Sequence, residues 1–184
     1  IGSASLLGEM TLAVLTFVGN ITFMYYLGDE GVGAFGIACY YSPFFFMIGN
    51  AIAQSAQPII SYDFGTKRHH RINQALRLVL TTASGFATTV IIGFVFFPET
   101  LTSLFVVPQS TAGKLAIEGF PYYATGILFY IINIVLTGYY QSLENIPRAT
   151  TIVVLRTILL VPSFILLPFW LNTSGIWLAM PVTE

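Results

Sequence analysis

The 184 residues are 55% hydrophobic and only 8% charged, with a formal net charge of −1, and the mean hydropathy is +0.79. So apolar a chain needs lipid rather than water around its outer face, and a charge near zero gives no electrostatic footprint for a nucleic-acid partner. Cys39 has no second cysteine with which to form an internal disulfide.

Six apolar stretches follow one another: 3–27, 32–62, 73–97, 112–141, 147–171 and 175–184, the last cut short. The first five each reach the ~20 residues that a helix needs to cross the hydrocarbon core. A barrel strand would be about 10 residues of alternating polarity, and these runs are longer and apolar throughout. In lipid the backbone must satisfy its own hydrogen bonds, so the spans are expected to be helical. The expected fold class is therefore all-α, a polytopic membrane helix bundle, read as a single unit over 1–184. The chain lacks a starting Met and stops within an apolar run, which reads as a piece of a longer protein. Its opening has no basic region of the kind that begins a signal peptide.

Span one carries Ser5, Glu9, Thr16 and Asn20, with small Ala13 between. At 100° per residue they occupy an arc of about 80°. An ionisable group inside a span is a functional-site candidate, and a carboxylate there can exchange a proton for sodium or for a cationic substrate. Span two repeats the device with Asn50, Gln54, Gln57 and Ser61. It also contains Pro43 and Pro58, and Pro121, Pro162 and Pro168 recur further on. Each interior proline deletes a backbone donor and bends its helix.

Span two ends at a cluster of Lys67, Arg68, His69, His70 and Arg71. With five crossings the breaks alternate sides. Those at 63–77 and 142–148 share one side and hold Lys67, Arg68, Arg71, Arg77 and Arg148, while Asp29, Glu30 and Glu99 fall on the other. The basic side is expected to be cytoplasmic, and the N-terminus with it. The two adjacent histidines lack the i, i+3 or i, i+4 spacing of helical metal ligands, so no metal is expected.

Span three offers a faint stripe of Thr81, Ser84 and Thr88. Span four presents Glu118, Tyr122, Thr125 and Asn133. Tyr122, Tyr130 and Tyr140 are candidates for cation contact through their ring faces, or simply members of an interfacial belt. Arg156, about two turns into span five, reads as a snorkelling side chain that reaches the cytoplasmic surface. Any one polar stripe is explained by interhelical glue. Three stripes in five spans, one with an acid, point instead to a shared polar interior.

One stretch carries a family signature. "QPIISYDFGTKRHHRINQALRL" resembles the segment after the eighth helix of the multidrug and toxic compound extrusion (MATE) family, through Gln57, Pro58, Ile60, Tyr62, Phe64, Gly65, Arg71 and Ile72. Asp63 stands where Asn is usual, and Thr66 where Ala is usual. "YYQSLENIPRATTIVVLRTILLVPSFILLP" resembles the junction of the family's tenth and eleventh helices, with Gln141, Arg156 and Pro162, and "GIWLAMPVTE" resembles the start of its last helix. The resemblance implies the C-terminal six-helix lobe of a twelve-helix transporter with two pseudo-symmetric lobes. It also implies export of organic cations in exchange for protons or sodium. Glu9 matches a membrane-embedded glutamate that many members carry in the seventh helix. A second acid, carried by some members in the tenth helix, is absent, and Tyr130 and Asn133 stand near its place. That pattern is closer to bacterial branches without the acid.

The expected function is thus secondary active efflux of organic cations or drugs by alternating access, in the bacterial inner membrane. The coupling ion is H+ or Na+, and no other cofactor is expected. The expected ion and substrate contacts are Glu9, Thr16, Asn20, Asn50, Gln54, Gln57, Tyr130 and Asn133. The expected partners are membrane lipid, a small organic cation and the N-terminal lobe of the same chain, with no nucleic acid. The alternatives are a flippase for a lipid-linked carrier, which needs several basic cavity residues, and a non-transporting membrane subunit with glue-like stripes. An embedded enzyme ranks last, for want of a nucleophile or metal set.

Overall fold

The computed structural model describes residues 2–184 of the backbone, and side chains from Leu6 onward. Ser5, placed on the polar arc of the first span, has its side chain outside the described residues. Among the described residues there are five helices and no strand: α1 (Gly2–Gly65), α2 (His69–Phe96), α3 (Pro98–Ser103), α4 (Thr111–Ser142) and α5 (Ile146–Thr183). α1, α2, α4 and α5 are long and apolar enough to span a membrane.

A straight helix of 64 residues would be about 96 Å long, roughly three times a bilayer core. α1 resolves this at Gly28, whose φ of 67° and ψ of −161° interrupt the helix in a region that glycine alone enters cheaply. The chain reverses there: Phe23 and Phe35, on either side of the turn, stack with centroids 4.5 Å apart. α5 turns likewise at Asn172, with φ 52° and ψ −133°. Each of these helices therefore has two arms, 2–27 and 29–65 in α1, 146–171 and 173–183 in α5.

α4 is the central helix, buried along its length from Gly113 to Ser142. The second arm of α5 runs beside it in the same direction. Gly119 faces the Trp177 indole, a Cβ at Gly126 would lie 2.7 Å from Pro181, and Asn133 bonds Glu184. Trp177 also meets Phe23 edge to face at 4.9 Å, so one aromatic cluster joins both arms of α1 to the end of α5. Aromatic pairs of this geometry contribute beyond their buried area.

The helix ends explain where hydropathy and backbone part company. α2 begins at His69, four residues before the apolar run at 73–97, because charge ends an apolar run without ending a helix. The turn between α1 and α2 is therefore short. Arg68 N donates to the carbonyl of Asp63 at 2.8 Å and Lys67 takes a left-handed φ of 57°. Asp63 is buried beneath this turn, with Arg71 Nε 3.4 Å from its carboxylate. The basic cluster is thus a tight, tethered turn rather than a long loop.

At the opposite end, Pro98 opens α3, a short helix within a stretch that hydropathy marks only as a break. Proline suits that first turn because its missing N–H has no partner there. Ser110 Oγ caps α4 by accepting from Gly113 N at 3.1 Å. Glu30 accepts from Ala112 N at 3.1 Å, an acid at the positive end of a helix dipole. Tyr25, Tyr26, Phe169 and Trp170 are exposed around the Gly28 and Asn172 turns, the height at which amphipathic rings meet headgroups. Phe17, Leu78, Ile158 and Ile165 are exposed between the helix ends, as lipid-facing residues should be.

Candidate functional site

α1, α4 and α5 line an open cavity of about 500 Å³, and α1 supplies most of its polar wall. From the first arm come Gly8 and Glu9. From the second come Asn50, Gln54 and Gln57, at the i, i+4, i+7 spacing that keeps them on one face. Pro58 removes the N–H that the Gln54 carbonyl would otherwise accept, which leaves a spare acceptor beside the glutamines. Asn50 Nδ2 donates back to the Phe46 carbonyl at 3.1 Å, which fixes its amide. Glu9 and Gln54 are exposed, while Asn50 and Gln57 are half-buried.

The opposite wall is Thr137, Gly138 and Gln141 on α4 and Arg156 on α5. Gly138 sets the width: a Cβ there would lie 2.8 Å from Ala53 and 3.7 Å from Gln57 Nε2. Every lining element contributes from the part nearest Gly65, Ser142 and Ile146. The cavity therefore lies toward the end of the bundle that carries the basic turns.

Arg156 departs from the snorkelling expectation. It is 9% exposed and its Nη2 lies 2.5 Å from Glu184 Oε1. Its guanidinium sits 5.1 Å from the Tyr130 ring centroid. Asn133 Nδ2 donates to both the carbonyl (2.6 Å) and the Oε2 (3.2 Å) of Glu184. The cause is partner choice: a buried acid within reach holds the guanidinium more firmly than distant headgroups can. Behind Arg156 lies a second space of about 10 Å³, room for about one water. Tyr130 Oη and Arg156 Nε border it, buried and without a hydrogen-bond partner.

Of the expected contacts, Glu9, Asn50, Gln54 and Gln57 meet in the cavity, and Tyr130 and Asn133 sit one layer behind, around Arg156 and Glu184. Thr16 and Asn20 do not line it. Thr16 is exposed and donates to its own helix at Leu12 O, 2.9 Å away. Beyond it Gly19 packs directly on the Phe35 ring, so the two arms of α1 close up there. Glu118 and Tyr122 border a different hollow of about 330 Å³ beside Thr173 and Trp177, at the other end of the bundle.

Thr137, Gln141 and Glu184 are not among the contacts expected from the sequence, although Gln141 belongs to the segment that carries the family resemblance. The first two extend Asn133 at i+4 and i+8, a pattern open to view in the sequence. Glu184 closes the apolar run "GIWLAMPVTE", and an acid at that place was itself a signal.

A family model described as MatE matches residues 4–166. The chain is similar in structure to a MOP superfamily transporter from Pyrococcus furiosus, whose binding pocket of reverse polarity suggests a different function. The TM-score is 0.89 at 14% identity, over 100% of this chain and 42% of that one. A multidrug resistance MATE family transporter of the MOP superfamily, solved in an outward-facing conformation, gives the same four figures. The MATE multidrug transporter DinF-BH matches with a TM-score of 0.83 and 20% identity, over 98% of this chain and 41% of that one. No curated protein matches. The chain spans less than half the length of the solved structures it resembles.

Proposed function

The chain belongs to the MatE family, and from that premise we propose that it forms one lobe of a secondary transporter that exports an organic cation in exchange for H+ or Na+. MatE proteins are membrane transporters, not enzymes, and this chain is an integral, multi-pass membrane protein. The observation that carries the proposal is the meeting of Glu9, Asn50, Gln54 and Gln57 around one cavity of about 500 Å³. Four polar side chains from two arms of one helix face a common hollow instead of acyl chains. Glu9 supplies the exchangeable charge, the amides supply adaptable hydrogen bonds, and the partner lobe supplies the facing wall. Rocking of the two lobes exposes the cavity to either side in turn. The end with Lys67, Arg68 and Arg71 faces the cytoplasm of a bacterial inner membrane, against anionic lipid.

A flippase for a lipid-linked carrier is less well supported, because among the described residues Arg156 is the only basic one lining the cavity, and it is already engaged. The test is Glu9→Gln in the full-length protein, reconstituted into vesicles. Efflux of a lipophilic cation is measured under a proton gradient and, separately, under a sodium gradient. Ion-driven efflux should fall to background with protein incorporation unchanged, and the gradient that drives the unaltered protein names the ion. Undiminished efflux by Glu9→Gln would remove the carboxylate from the mechanism.

A further inference from the structure

Among the described residues, two charged side chains line the cavity, and their signs are opposite: Glu9 and Arg156. Left to themselves they would cancel, and a cationic ligand would find no net attraction. A third charge, outside the cavity, changes this. Glu184 holds Arg156 from behind with Nη2 to Oε1 at 2.5 Å, the two side chains being 11% and 5% exposed. Asn133 fixes Glu184 in turn through two donations, and the face of Tyr130 covers the guanidinium.

We propose that Glu184 is the specificity-determining residue of this lobe: by neutralising Arg156 it leaves Glu9 as the uncompensated charge, and so makes the cavity select cations. This rests on the reading of the cavity as a substrate site. One positive and two negative groups sum to −1, and all of the excess falls on the one carboxylate that is open to the ligand. The Arg156–Glu184 pair is buried, where charges are poorly screened, so each holds the other strongly. A purely structural role, bracing the last arm of α5 against its first, is the competing account. Buried ion pairs are weak evidence of stability in any case. The two accounts differ in what they predict for ligand charge.

The experiment uses the full-length protein in lipid nanodiscs and two probes of nearly the same shape and opposite charge, tetraphenylphosphonium and tetraphenylborate. Equilibrium binding of each gives a cation-to-anion affinity ratio at fixed pH and salt. Glu184→Gln frees Arg156 to oppose Glu9, and the ratio should fall about tenfold or more. Arg156→Gln with Glu184→Gln removes both charges, keeps the sum at −1, and should restore the ratio to within about threefold of the unaltered protein. Asn133→Ala loosens Glu184 without removing charge and should move the ratio the same way as Glu184→Gln, by about threefold. It decides the matter should Glu184→Gln fail to fold. An unchanged ratio in folded Glu184→Gln, or in Asn133→Ala where the former cannot be purified, overturns the proposal. Failure of the unaltered protein to prefer the phosphonium, or a preference indifferent to Glu9→Gln, would instead overturn the substrate-site reading.

Discussion

Gly138 on α4 and Ala53 on α1 cross with no room for another carbon: a Cβ at Gly138 would stand 2.8 Å from that of Ala53. Small residues at such crossings are how membrane helices approach closely without a hydrophobic drive. This crossing also sets the distance between Gln57 and the α4 wall of the cavity. Gly138→Ala should therefore destabilise the protein by about 1–3 kcal/mol through overpacking. Adding Ala53→Gly should recover most of the loss, since it vacates the same space. Thermal midpoints of the detergent-solubilised full-length protein, with each single variant and the pair, measure this. Equal midpoints for Gly138→Ala and the unaltered protein would show that the helices separate freely.

Gly28 and Asn172 make turns of similar geometry with different residues, both at positive φ. Glycine meets no Cβ penalty there, whereas asparagine does. Gly28→Ala should cost about 1–3 kcal/mol, and Asn172→Gly should gain about 1 kcal/mol. The same thermal assay reads both. The opposite signs are the diagnostic: a loss at Asn172 would mean that its side chain contributes more than its backbone costs.

Orientation has a direct chemical test. Cys39 is half-buried, and replacing it and any cysteine elsewhere in the full-length protein by Ala gives a background without thiols. His70 and Glu99 are both exposed and lie at opposite ends of the bundle. In intact cells, a membrane-impermeant maleimide should label Glu99→Cys, and should label His70→Cys only after lysis. The reverse pattern would place the basic turns outside.

Much of this architecture could be read directly from the residues. Hydropathy marked stretches long enough to cross a membrane, since the hydrocarbon core demands ~20 apolar residues whatever their neighbours. It did not locate helix ends, because His69, His70 and Arg71 belong to α2 although they precede the apolar run at 73–97. The face of Asn50, Gln54 and Gln57 was equally legible, because i, i+4, i+7 positions lie on one side of any helix. Glu9 was legible as an acid where acids are costly. Thr16 and Asn20 share its arc but miss the cavity. A helical arc fixes direction around one axis and says nothing of how closely the next helix packs along it, and at Gly19 the Phe35 ring fills the space.

The sequence by itself thus determined the class, the order of the spans and the polar edges, all of which depend on residues within a single helix and on lipid as the solvent. Only the tertiary structure decided the fate of Arg156. Its partner Glu184 lies 28 residues away, beyond the turn at Asn172, and Asn133 and Tyr130 reach the pair from another helix. An ion pair of that kind depends on packing between helices, which no periodicity along the chain encodes.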